Sequence, residues 1–474
     1  MSLDNNKKTS SSFRFKYMYR VLCVGMIEAI CTMLFTIIWL DFVIENNQTG
    51  HLTGLGNILM SVGVYFGLLT FCMYEFKGYK IGVNRKMNVI SSQIAAICMT
   101  GIFEVFISMA VTGEFRFFSA FLWRYALMCL VESGLAFIFG VLLTNLYRKI
   151  FPPLRVVELY QNGSKLLMNK MNTRPDKYNV CEAICITKDL SNIRDEIKKY
   201  DAVLINDLDS EIKNDIIKIC YDIDKRIYYV PKISDIIMKS SESLNLFDTP
   251  LQFSRNIGLS FRQRIFKRFM DVIISTIGLI VGSPIFLIVA IAIKLEDGGP
   301  VFYRQDRCTY NGKIFSIIKF RSMKVDTDKT DKFRPVGEND DRITGVGRFI
   351  RPHRIDELPQ LINILKGEMS VVGPRPEVLR NVKKYSKDIS EFTFRTKIKA
   401  GLTGYAQVYG KYNTSPLDKL KMDLMYITNY SILLDIQILF ETVKVVFKIE
   451  STEAFSEEKQ NELISFEELS DKYM

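Results

Sequence analysis

The sequence predicts a membrane protein in three parts. Residues 1–149 form a membrane α-helical bundle of four spans, 150–260 an α/β Rossmann-like cytosolic unit, and 261–450 a mixed α/β monotopic domain with a re-entrant membrane helix. An acidic flexible tail follows at 451–474. Three observations lead there. Four apolar segments, each reaching the length of about 20 residues that a bilayer requires, crowd the first third of the chain. Alternating strand-like and helix-like runs come next. A fifth apolar run, at 272–293, lies far downstream with a Ser-Pro pair at its middle.

Composition agrees with that segregation. Of 474 residues, 48% are hydrophobic and 24% charged, with a mean hydropathy of +0.09 and a net charge of +11. A basic balance can signal nucleic acid, but no helix-turn-helix, zinc-finger or RNA-binding motif is present, so no nucleic-acid partner is expected. An anionic membrane surface and a phosphorylated substrate account for the charge better. The nine cysteines form no C-x-x-C unit; Cys181 and Cys185 share one face of a strand-like run, and neither a disulfide framework nor a metal site follows. With only His51 and His353, a histidine-based metal site or triad is nearly excluded.

The four apolar segments lie near 20–43, 54–74, 87–112 and 117–146. The first is too long, and too closely followed by others, for a cleaved signal peptide. Lys7, Lys8, Arg14, Lys16 and Arg20 precede it; Lys77, Lys80, Arg85 and Lys86 separate the second and third; Arg148 and Lys149 close the fourth. The opposite loops hold Asp41 with Glu45, and Glu114 with Arg116, so the positive-inside rule places both ends of the bundle in the cytoplasm. Glu28, Glu104, Arg124 and Glu132 fall inside the segments. Ionisable groups in membrane helices raise a functional reading, but so few charges make a poor transport pathway, and a structural role is expected. Arg124 and Glu132, two helical turns apart, either pair or reach adjacent helices.

Within 150–260, segments 180–186, 202–205 and 226–230 read as strands, and 190–199 and 209–224 as helices. Such alternation implies parallel pairing with right-handed crossovers. No G-x-G-x-x-G follows a strand, so regulation or assembly is expected rather than dinucleotide binding.

The run at 272–293 has no charge and is long enough to cross a bilayer. Ser283 and Pro284 favour a bend at its middle, because proline removes a backbone hydrogen bond and the serine hydroxyl bonds back to a carbonyl. Arg264, Lys267 and Arg268 flank one end, and Lys294, Arg304 and Arg307 the other. Symmetric positive flanks favour a hairpin that dips into the inner leaflet over a true crossing.

The densest chemistry lies at 351–360. Asp356 and Glu357 open a helix-like apolar run, with Arg342, Arg348, Arg351 and Arg354 before them and Gly373-Pro-Arg-Pro-Glu377 after. Acidic residues at a helix start are ordinary partners of the helix dipole. Among arginines they suit phosphate chemistry: one carboxylate holds a divalent ion while the other attacks or activates, and the arginines screen the phosphate.

Eight motifs run in order through 264–450: Phe266-Lys-Arg-Phe-Met-Asp271, Gly282-Ser-Pro284, Gly299-Pro-Val-Phe302, Lys319-Phe-Arg-Ser-Met323, Gly347-Arg-Phe-Ile-Arg351, Asp356-Glu-Leu-Pro-Gln360, Gly367-Glu-Met-Ser-Val-Val-Gly-Pro-Arg-Pro-Glu377 and Gly401-Leu-Thr-Gly-Tyr-Ala-Gln407. Together they resemble the bacterial polyprenyl-phosphate hexose-1-phosphate transferases, the large monotopic phosphoglycosyl transferases that start capsule and exopolysaccharide repeat units. The four spans and the α/β unit look like the family's longer members. The resemblance implies a ping-pong reaction on the cytosolic face of the bacterial cytoplasmic (inner) membrane. Asp356 would attack the β-phosphorus of a UDP-sugar and release UMP; undecaprenyl phosphate would then take the sugar-phosphate. It further implies Mg²⁺ held by Glu357, and phosphate contacts from Lys319, Arg321 and Arg375. Asp423 matches a downstream acidic position. Membrane lipid, a second copy of the chain in a homodimer and downstream glycosyltransferases are the other implied partners.

The match has departures. His353 and Arg354 stand where the family often has small hydroxyl residues, and Cys308-Thr-Tyr310 replaces a family glycine, although Asn311-Gly312 still reads as a hairpin turn. They bear on sugar preference, for which glucose and galactose come first. The amphipathic stretch 416–448 fits helices in the membrane interface and core packing equally. The rival functions are an assembly or regulatory scaffold that does not turn over, a transporter built on the bundle, and a sugar transferase that releases UDP.

Overall fold

The computed structural model describes residues 2–46, 54–161, 166–186, 192–244, 248–254, 258–324, 340, 342–410 and 414–446; the tail expected at 451–474 lies outside them. Met1–Val230 and Pro231–Met474 form two compact units.

The first unit opens with α1 (Ser2–Asn46), α2 (Leu55–Glu75), α3 (Lys86–Thr112) and α4 (Phe118–Ile150), which cover the four apolar segments. Each contains a stretch long and apolar enough to cross a membrane. Apolar side chains face outward as well as inward: Met33, Phe106, Trp123 and Leu130 are exposed, while Phe35, Trp39, Tyr65, Phe121 and Tyr125 fill the interior. A helix that is hydrophobic all round belongs in lipid or in a large core. The four ionisable groups tie helices together. Glu132 accepts from the Tyr65 hydroxyl at 2.9 Å, and Glu28 from the Tyr79 hydroxyl at 2.6 Å. Glu104 accepts from Ser108 at 3.4 Å, and Ser108 meets the Tyr125 hydroxyl at 2.7 Å. Arg124 pairs with Asp41 at 3.1 Å and with Glu45, so it and Glu132 each reach a neighbouring helix rather than one another.

A parallel sheet follows: β1 (Leu154–Tyr160), α5 (Leu166–Asn172), β2 (Tyr178–Cys185), α6 (Ile193–Lys198), β3 (Ala202–Asn206), α7 (Ser210–Asp222) and β4 (Arg226–Tyr229), in strand order β2-β1-β3-β4. One of the two inner strands, β1, has no counterpart in the sequence reading. Glu158 interrupts its apolar run, yet that carboxylate is fully buried and accepts from Asn206 on β3 at 2.7 Å. Cys181 and Cys185 are exposed on β2.

The second unit begins with α8 (Ile233–Met238) and the hairpin of β5 (Glu242–Leu244) and β6 (Leu251–Phe253). Residues 231–260 therefore pack here rather than with the sheet: Ile236 and Leu259 share a core with Leu361, Ile364, Val371 and Phe392. After α9 (Phe261–Asp297) come the antiparallel β7 (Phe302–Cys308) and β8 (Ile314–Phe320), turning at Asn311 (φ 52°) and Gly312 (φ 73°). Then follow α10 (Gly345–Ile350), α11 (Gln360–Lys366), β9 (Ser370–Val372), α12 (Leu379–Asp388), β10 (Gly401–Thr403), α13 (Tyr405–Tyr409), α14 (Pro416–Thr428) and α15 (Ile432–Val446). Leu420, Leu424 and Ile427 of α14 and Ile438 of α15 are buried in the same core, so packing claims the inner faces of the amphipathic stretch.

α9 carries the fifth apolar run as one helix that includes Ser283 and Pro284. The Ser283 hydroxyl does bond back, to the Ile280 carbonyl at 2.8 Å. A proline deletes one hydrogen bond, and intact turns on either side keep the helix going, so any bend there lies within one helix. Both ends are tied to the second unit. Asp271 accepts from Ser370 Oγ at 2.9 Å and from the Val371 amide at 2.8 Å. At the other end Glu296 accepts from the Gly345 and Val346 amides at the start of α10, at 2.5 and 3.2 Å. Between them Ile280, Val281, Leu287 and Ile288 are exposed.

Candidate active site

Lys319 is the penultimate residue of β8, and the acidic pair lies in a single 3₁₀ turn, Ile355–Glu357, just before α11. Arg354 enters that turn in the left-handed conformation (φ 54°), which is uncommon for a residue with a Cβ and recurs at functional sites. The third segment, carrying Arg375, is held by backbone contact. A Cβ at Gly404 would lie 2.0 Å from the Gly373 carbonyl oxygen, and one at Gly401 2.1 Å from the Gly373 nitrogen. Glycine at these motif positions is what lets β9 and β10 close side by side.

The three segments converge on Glu357. Its Oε1 accepts from Lys319 Nζ at 2.8 Å and from Arg375 Nη2 at 3.0 Å, and Arg354 Nη1 lies 3.8 Å from Oε2. Burial disfavours the charge on Glu357, but Arg375 and Lys319 outweigh it and hold the carboxyl well below the usual range. Asp356 differs. It is half-buried, and among the described residues no hydrogen bond or ion pair engages its carboxylate. Burial pushes its pKa up, Lys319 opposes that, and Glu357 adds to it. Burial likewise lowers the pKa of Lys319, against the pull of Glu357. One carboxylate is locked as an anion and the other is left open beside it.

Two other candidates take different places. Arg321 does not join the cluster; its guanidinium forks onto Asp297 at the end of α9, with Nη1 2.7 Å from Oδ2, and is itself buried. The strand ends at Phe320, so the two-residue spacing from Lys319 no longer keeps the side chains together. Asp423 is buried and binds Arg395 at 2.7 Å; Arg395 Nη2 in turn donates to the Arg375 carbonyl at 3.0 Å. It acts on the site at one remove. Arg395, Arg307 and Gln407 are the site residues that motif reading did not assign. Arg307 Nη1 donates to the Pro376 carbonyl at 3.1 Å, and Gln407 accepts from Arg375 Nη1 at 3.3 Å. Gln407 closes the Gly401–Gln407 motif; Arg395, between Phe394 and Thr396, carries no distinguishing signal.

A divalent ion fits this donor set only with help. Among the described residues no group of three His, Cys, Asp or Glu side chains could hold a metal alone. Magnesium, however, takes one or two carboxylates and fills its remaining positions with water and phosphate oxygens. Glu357 Oε2, paired among the described residues with Arg354 alone at 3.8 Å, and the open Asp356 are hard oxygens of that kind.

The α/β domain thus combines a long exposed apolar helix with an acid pair ringed by cations, an arrangement chemically suited to phosphate. The comparisons make this specific. The bacterial sugar transferase family model matches residues 262–449. The chain is 40% identical over 230 residues to the UDP-glucose:undecaprenyl-phosphate glucose-1-phosphate transferase of Klebsiella pneumoniae, covering 46% of this chain and 48% of that protein. It is 41% identical over 204 residues to the Escherichia coli (strain K12) protein of the same name, covering 42% of each. The match thus spans about half the length of these two relatives. The exopolysaccharide production protein ExoY of Rhizobium meliloti (strain 1021) is 37% identical over 194 residues, which are 38% of this chain and 84% of ExoY. The chain belongs to the bacterial sugar transferase family.

Proposed function

We propose that this protein transfers hexose-1-phosphate from a UDP-sugar to undecaprenyl phosphate, releasing UMP, as the first membrane step of exopolysaccharide or capsule synthesis. The observation that carries the reading is the contrast within the acid pair: Glu357 is held by Lys319 and Arg375, while Asp356 has a carboxylate free to react. In the first half-reaction an Asp356 oxygen bonds to the β-phosphorus. The bond from that phosphorus to the bridging oxygen breaks, and its electron pair leaves with UMP. In the second, an undecaprenyl phosphate oxygen attacks the same phosphorus and the acyl-phosphate P–O bond breaks. The carboxylate returns, and undecaprenyl-diphosphate-sugar leaves. A covalent intermediate divides one transfer into two steps, and Lys319, Arg354 and Arg375 are preorganised to meet the phosphoryl charge. Magnesium, held by Glu357 together with phosphate oxygens, would supply further neutralisation.

The membrane arrangement follows the same reading. α1–α4 cross the bilayer with both ends cytoplasmic, and α9 enters and leaves by the cytosolic leaflet. What supports this for α9 is that Asp271 near one end and Glu296 at the other both bind the second unit, which a true crossing would divide between two compartments. The sheet of the first unit serves as a Rossmann-like assembly or regulatory module, through which a second copy could pair and downstream glycosyltransferases dock.

The test is nucleotide release by the purified protein in detergent with Mg²⁺, undecaprenyl phosphate and a panel of UDP-sugars, UDP-glucose first. UMP is the expected product. UDP would overturn the mechanism, and no release from any sugar would favour a scaffold. In the same assay Asp423→Asn is expected to lower turnover by roughly 10- to 100-fold, because displacement by about 1 Å of a group that orients substrate has effects of that order. An unchanged rate would remove Asp423 and Arg395 from the positioning of Arg375.

A further inference from the structure

Outside the dyad cluster, the second unit contains a cleft of about 180 Å³ lined chiefly by Arg264, Lys267, Arg268, Lys397, Lys399 and Asp271. Neither dyad carboxylate lines it, nor do Lys319 and Arg375. The cations from α9 follow helical spacing and line one face, while Lys397 and Lys399 come from the segment before β10. Their positive charge is only partly compensated. Lys267 is neutralised by Asp435 at 2.7 Å. Arg264 and Arg268 satisfy donors on backbone carbonyls, of Leu259 at 2.9 Å and of Ile364 and Leu365 at 2.6 Å each, which provides hydrogen bonds without cancelling charge. Lys399 has no carboxylate within ion-pair distance among the described residues. Its ammonium and the Arg268 guanidinium carbon both lie within 3.7 Å of the position a Cβ on Gly367 would take. Asp271 in the same lining opposes part of the Lys399 and Arg268 charge; with Asp435 on Lys267, the two carboxylates still leave the five cations of the lining in excess, which suits an anion.

The geometry points to this cleft as a binding site for a phosphate group, supplied by the headgroup of an anionic phospholipid. A lipid is favoured over a free anion because Phe261, Ile265, Phe266 and Phe269, on the same two turns of α9, are all exposed. Apolar side chains beside a basic recess are the pattern of a headgroup pocket at a cytoplasmic leaflet. Ser370 and Tyr310 add hydroxyls to the lining.

The test is native mass spectrometry of the full chain released from detergent with phosphatidylglycerol, with phosphatidylcholine, or with phosphatidylglycerol plus excess inorganic phosphate. Phosphatidylglycerol adducts are expected in preference to phosphatidylcholine. Lys399→Glu should weaken them by about tenfold, as expected for reversing one charge near a headgroup, and Lys399→Arg should retain them. Lys399→Gln, with a melting curve beside it, covers the case in which charge reversal impairs folding, and should give an intermediate loss. Equal adducts in wild type and both charge-loss variants would overturn the site. Equal binding of the two lipids, with inorganic phosphate alone protecting against thermal unfolding in a Lys399-dependent way, would overturn the lipid and leave a free anion. Because the readout is binding, it is independent of whether any sugar is turned over.

Discussion

Asp356→Asn is expected to reduce UMP release by about 10⁴-fold or more, the scale on which removal of a covalent nucleophile acts. The amide keeps the size of the side chain and cannot form the acyl-phosphate. The variant should nevertheless be at least as stable as the wild type. Burial raises the pKa of Asp356, so ionising it costs more in the folded than in the unfolded chain. A raised carboxyl pKa contributes stability below the unfolded value, and that contribution is lost as pH rises through the folded value. At neutral pH the ionised side chain is therefore a burden that asparagine removes, and the melting temperature in detergent should match or exceed that of the wild type. The same shift sets the acid limb of activity. Attack requires the carboxylate, so turnover should fall on acidification at a pH above the ordinary aspartate value of 3.8. A variant that is inactive because it is unfolded, or a limb at or below 3.8, would contradict this account.

Asp435→Asn is expected to cost about 3–5 kcal/mol of stability, the range for removing one partner of a buried ion pair. Lys267 Nζ lies 2.7 Å from Asp435 Oδ2 and 3.0 Å from the Tyr426 hydroxyl, and both charged side chains are almost fully buried, at 6% and 1% exposure. The Tyr426 hydroxyl donates to the other Asp435 oxygen at 2.5 Å, so the variant leaves an ammonium facing a weakened acceptor. This network pins α9 to α14 and α15, and its loss should free the N-terminal turns of α9. The double variant Lys267→Met, Asp435→Leu should recover most of the loss, since apolar replacement of a whole buried pair is often neutral. Unfolding curves of the two variants check this. A single variant within about 1 kcal/mol of the wild type would mean the pair is not desolvated as its geometry requires.

The parts of the molecule that hydropathy and motif spacing encode were legible before any coordinates. The helices α2, α3 and α4 and the strands β2, β3 and β4 fall within a few residues of the segments expected, whereas α1 covers its expected segment but begins far ahead of residue 20. What escaped has a physical reason in each case. β1 was hidden because Glu158 breaks its apolar run, and only Asn206 on the neighbouring strand explains a carboxylate there. The stretch 416–448 was ambiguous because an interface helix and a core helix have the same periodicity, and only burial of Leu420, Leu424, Ile427 and Ile438 in the common core distinguishes them. In the site, Lys319, Glu357 and Arg375 meet as the motifs suggested, although 56 residues of sequence separate the outer two. Arg321 lies apart from that cluster, on Asp297, because a two-residue spacing means a shared face only while a strand lasts, and β8 ends at Phe320. Arg395 gave no signal, since an arginine that holds a carbonyl looks like any other arginine in sequence.

The central claim is that phosphorus passes through Asp356. The measurement that tests it most directly is intact and peptide mass spectrometry of the purified protein incubated with Mg²⁺ and a turned-over UDP-sugar, without undecaprenyl phosphate. The account predicts stoichiometric UMP and a sugar-phosphate adduct on the peptide containing Asp356, chased off by undecaprenyl phosphate and absent from Asp356→Asn. No adduct under conditions where added acceptor gives product, or an adduct that persists in Asp356→Asn, would contradict it.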